Sequence, residues 1–68
     1  MKTFEQLTPF NQQKAVEFAR KKAVDLYKSG IIEFPQEQFA AKWIEEMAVA
    51  GAETALYNDE NNNLEVIF

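Results

Sequence analysis

Histidine and cysteine, the side chains that carry much of enzyme chemistry, are absent from this chain of 68 residues. General-base and nucleophilic work would then fall to carboxylates, lysines and hydroxyls. Ser29 is the only serine and has no base beside it in sequence. Glu45 and Glu46 are neighbours, so on a helix they diverge by about 100° and do not converge on a substrate. No glycine-rich loop is present to cradle a phosphate. Asp59, Asn61 and Asn63 fall at positions 1, 3 and 5 of a calcium-loop pattern, but Leu64 stands where that loop needs glycine, and its twelfth position lies beyond Phe68. A polar turn is the better reading. The expectation is a protein that is not an enzyme, with no cofactor and no metal site.

Charge is the other source of chemistry. Residues 14 to 28 carry Lys14, Arg20, Lys21, Lys22 and Lys28 against Glu17 and Asp25, a net of +3. From Glu33 onward eight carboxylates face Lys42 alone, a net of −7. Lys14, Lys21 and Lys28 recur every seven residues and, with Arg20, form a candidate face for nucleic acid phosphates. Glu17 and Asp25 interrupt that row and the whole chain carries −4, which disfavours nucleic acid as a partner.

The elements that would position these residues are well punctuated. Thr8 followed by Pro9 reads as an N-cap with proline at the first helical position. Gly30 stands where a left-handed residue ends a helix. These signals predict a first helix over 9–29, with Gln12, Ala15, Val16, Ala19, Ala23, Leu26 and Tyr27 on its inner stripe. Residues 30–34 read as an extended linker. A second helix is predicted over 35–57, with a core stripe of Phe39, Trp43, Met47, Ala50, Thr54 and Tyr57. Gly51 within it marks a kink or a close helix contact. The segment 58–68 reads as a polar turn and an apolar tail, Leu64 to Phe68, which either pairs as a short strand with residues 31–34 or hangs free. Thr3 to Leu7 adds an N-terminal turn, with Phe4 and Leu7 over the core. The fold class is therefore mainly α, one small domain built on an antiparallel two-helix hairpin with a short C-terminal strand or tail.

A domain of this size buries only about 60% of its unfolded surface. Without disulfides or zinc ligands, its stability must come from helix packing or from oligomerisation. Val49 and Leu56 fall outside the expected core stripe, on the far side of the second helix with Glu45 and Ala52. Uncovered apolar residues of this kind usually mark an interface. The expected partner-binding face is Glu45, Glu46, Val49, Ala52, Glu53 and Leu56. Its cover is the chain's own termini, a second copy in a homodimer, or a foreign protein.

The opening Phe4-Glu5-Gln6-Leu7-Thr8-Pro9-Phe10-Asn11-Gln12-Gln13-Lys14-Ala15, running into Phe18-Ala19, resembles the starts of small phage and prophage proteins. That resemblance implies a mobile-element protein without enzymatic activity, of the kind that includes anti-CRISPR inhibitors. It carries over no functional residue. The expected function is a protein-binding module, a stoichiometric inhibitor or adaptor directed at a host defence complex. The absence of cysteine, of a signal-peptide pattern and of an apolar run near the ~20 residues that span a bilayer points to the cytoplasm and away from membranes.

Overall fold

Thr8 starts the first helix as its type and position require. Its hydroxyl accepts a hydrogen bond from the Asn11 amide at 3.2 Å, and Pro9 occupies the first turn, where no amide donor is needed. In the computed structural model, which describes residues 1–60 and 63–67, this helix α1 runs Pro9–Lys28. It ends as Ser29 donates its amide to the Asp25 carbonyl and Gly30 turns left-handed at φ 78°. Residues 29–36 then reverse the chain. Phe34 clips the reversal in place by packing between Tyr27 and Trp43, with ring centroids 6.1 and 5.7 Å apart.

The second helix, α2, spans Glu37–Thr54 and lies along α1 as the other arm of the hairpin. It is shorter than the predicted 35–57 at both ends. Gln36 is still extended, and Ala55 leaves the helix at ψ 163°. Beyond it the chain becomes strand β2 (Leu56–Asn58), the centre of a small antiparallel sheet. Strand β1 (Lys2–Thr3) pairs with one edge, Lys2 opposite Tyr57, and β3 (Glu65–Val66) pairs with the other, Val66 opposite Tyr57. The C-terminal strand therefore forms, but on residues 56–58 and not on 31–34. A short 3-10 turn, Phe4–Gln6, joins β1 to α1, and the Gln12 side chain donates to the Phe4 carbonyl at 3.1 Å to hold it there.

The core differs from the expected stripe. Phe39 and Met47 are 47% and 41% exposed, and Ala50 and Thr54 are also exposed. What is buried between the helices is small: Ala15 and Ala23 from α1, and Ala40, Ala48 and Ala52 from α2. Gly51 belongs to this seam too, since a methyl built on it would lie 3.3 Å from the Ala19 Cβ. The alanine row of α1 selects a matching row of small residues, because only small side chains on both helices allow close approach. Leu7 and Tyr57 close the sheet end of this core as its large buried side chains.

Candidate functional site

Beside this alanine seam, four larger apolar side chains of the two helices gather on one side of the hairpin. There they line an open groove of about 320 Å³. Phe18 and Leu26 of α1 form one wall, Trp43 and Met47 of α2 the other, and Tyr57 with Val66 closes the sheet end. Phe18 is 53% exposed and Leu26 45%. Among the described residues, Lys22 is the one charged residue lining it. Chemically the groove offers apolar area and few polar groups, which suits the side chains of another polypeptide. The helical periodicity of Phe39, Trp43 and Met47 was visible in the sequence as a stripe. That it lines a surface follows only from the small residues beside it.

The face expected to bind a partner is not one surface. Ala52 is 0% exposed, held in the helix seam, and Leu56 is half-buried on β2, paired across from Thr3. Val49 alone of the apolar members is solvent-exposed, flanked by Glu46 and Glu53. Glu45 is already engaged, accepting two hydrogen bonds from Arg20, from Nε at 2.9 Å and from Nη2 at 3.1 Å. The Arg20 guanidinium holds the Glu45 carboxyl below its ordinary range, and Glu45 in turn raises Arg20. Because this pair is solvent-exposed, it fixes the pairing of the two helices more than it stabilises them.

The alternative nucleic-acid face is divided in the same way. Arg20 turns to α2, away from Lys21 and Lys28, and the Lys14 ammonium sits 4.8 Å from the centre of the Phe10 ring. Part of the charge separation along the chain is thus spent internally, between α1 and α2. Of the calcium-loop residues, Asn61 lies outside the described residues, as does Phe68 of the apolar tail, and Asp59 is bound by Lys2 at 2.8 Å. Among the described residues no group of three or more acidic side chains is placed to hold a metal ion, and no helix is long and apolar enough to cross a membrane.

The Lys2–Asp59 bridge ties the N-terminal strand to the turn after β2, and it makes stability depend on pH. The Lys2 ammonium, helped by the Asn11 amide, holds the Asp59 carboxyl below its ordinary value of 3.8. A carboxylate depressed by folding stabilises the native state above its unfolded value, and that contribution is lost as pH falls through the folded value. Urea midpoints measured from pH 7 to below pH 3.8 should therefore fall less steeply in Lys2→Met than in the wild type. Equal acid limbs would show that the bridge does not persist in solution.

The fold places this chain in a plain architectural class, an α-helical hairpin closed at its open end by a three-stranded antiparallel sheet. No protein-family model, curated protein or solved structure matches the chain.

Proposed function

We propose that this chain is a non-enzymatic protein-binding module, and that it binds through the groove between Phe18, Leu26, Trp43 and Met47. One observation carries the reading: Phe18, Leu26 and Met47, side by side along the groove, are 53%, 45% and 41% exposed. Leaving that much apolar area wet forgoes about 25 cal/mol for every Å² it could bury, which in so small a domain is a large fraction of the total stability. A partner surface recovers it. As an inhibitor or adaptor, including the phage-encoded kind directed at host defence, the module would act by occupying a surface without turnover. A cysteine-free composition supports a cytoplasmic setting.

The test is capture from an extract of the native host on immobilised chain, comparing wild type with Phe18→Asp/Met47→Asp and quantifying every retained protein by mass spectrometry, the chain itself included. Both residues are about half-exposed, so the variant keeps the fold. At least one protein should be retained tenfold or more above the variant. Identical retained sets would overturn the reading.

A further inference from the structure

We infer that the occupant of the groove is a second copy of this chain, the two hairpins packing as a four-helix bundle with α1 of each copy antiparallel on α2 of the other. This rests on the groove being the binding surface and names what fills it.

The first support is area. A folded monomer of 7.8 kDa is expected to expose about 4,400 Å². This chain exposes 5129 Å². The excess is close to the ~800 Å² that each partner contributes to a standard interface. Shape agrees: the molecule measures 42 × 18 × 16 Å, with a radius of gyration of 13.1 Å against about 11 Å for a chain of this length. It is one layer of helices, where stable domains have two. The described part of the chain's own C-terminus does not supply a full second layer: Val66 reaches the sheet end of the groove, and Asn63 and Leu64 lie near Phe18, Lys14 and Lys21 at its α1 edge, leaving the α2 side bare.

The second support is charge. Going outward from the groove on α1, beyond Phe18 and Asp25, comes the pair Lys14 and Lys21; on α2, beyond Trp43, Ala50 and Phe39, comes the pair Glu46 and Glu53, with Lys42 past them. Each pair is spaced seven residues apart, so the edges keep the same period. Ala19 lies beside Gly51 and Arg20 bonds Glu45, which fixes the height of one helix against the other. Rotation by 180° about an axis parallel to the helices keeps those heights and lays α1 over α2 of the other copy. Lys21 then falls within a turn of Glu46 across the interface, and Lys14 within a turn of Glu53. The contact is isologous, so each pair forms twice and the assembly closes as a dimer. A foreign helix would have to bring both a basic and an acidic edge to match the same rims.

Sedimentation equilibrium over about 1 to 300 µM tests this with four proteins. The wild type should approach twice 7.8 kDa, and Phe18→Asp should stay at 7.8 kDa throughout. Lys21→Glu should weaken dimerisation about tenfold, because like charges then meet at two places. Lys21→Glu/Glu46→Lys should restore it to within about threefold. These positions are exposed, and circular dichroism verifies that each variant is helical. A wild type that remains monomeric overturns self-association. If it nonetheless captures a groove-dependent foreign protein, the binding function stands and only the identity of the occupant falls. A dimer untouched by Phe18→Asp, or one that the double charge reversal does not rescue, overturns the proposed arrangement.

Discussion

Replacing Ala48 by leucine should remove most of the stability of this protein. Ala48 is 0% exposed, one of the buried alanines that α2 contributes to the helix seam. Leucine adds three heavy atoms at a site with no exposed surface to take them, in a helix seam where even a methyl added at Gly51 would come 3.3 Å from the Ala19 Cβ. Overpacking of this kind costs about 1–3 kcal/mol and sometimes more. A core in this size range supplies only about 3–5 kcal/mol in all. The neighbouring change Met47→Ala removes a longer side chain yet should cost less than about 1 kcal/mol in the monomer, because Met47 is 41% exposed. Urea unfolding at low micromolar concentration, followed by circular dichroism, separates the two. A reversed order, with Met47→Ala the more damaging, would mean that the aromatic stripe is the core after all.

The second large effect is expected at Tyr57. Among the described residues it is the largest fully buried side chain, 1% exposed at the junction of helix and sheet. Its hydroxyl donates to the Ala52 carbonyl at 2.6 Å, one of the carbonyls that α2 leaves without a helical partner where it ends. Burial raises the hydroxyl above its ordinary value of 10.0, so it remains a proton donor across the neutral range. Tyr57→Ala should cost about 3–5 kcal/mol, enough to unfold the chain at room temperature. Tyr57→Phe keeps the ring and loses only the hydrogen bond, so it should cost about 1–2 kcal/mol and leave a cooperative transition. Thermal melts of both variants would show it. A folded Tyr57→Ala would mean that the sheet contributes little.

Much of the architecture could be read from residue types, and the failures have physical causes. The bounds of α1 follow from Thr8, Pro9 and Gly30, whose backbone preferences act locally. The inner face of α2 was misassigned because periodicity weighs side chains by hydrophobicity, and Phe39, Trp43 and Met47 outweigh Ala40, Ala48 and Ala52. The missing criterion was complementarity: a row of alanines on α1 packs closely only against small residues. Leu56 and Tyr57 continue the helical phase of α2, so nothing local marks the change to strand. That change depends on Lys2 and Thr3, far away in sequence, and on the burial that Tyr57 gains when the chain leaves the helix. The expected binding face inherited both errors, taking Ala52 and Leu56 for surface.

The order of the sheet has one more consequence. Since β1 and β3 flank β2, residues 2–3 and 65–66 are two strand spacings apart, about 10 Å. A few added residues would therefore span from residue 66 to residue 2. Fresh termini could then be opened at the far tip, where Ile31 is 73% exposed. A molecule rearranged in this way would keep its alanine seam, its sheet and its groove while presenting its ends at the opposite pole.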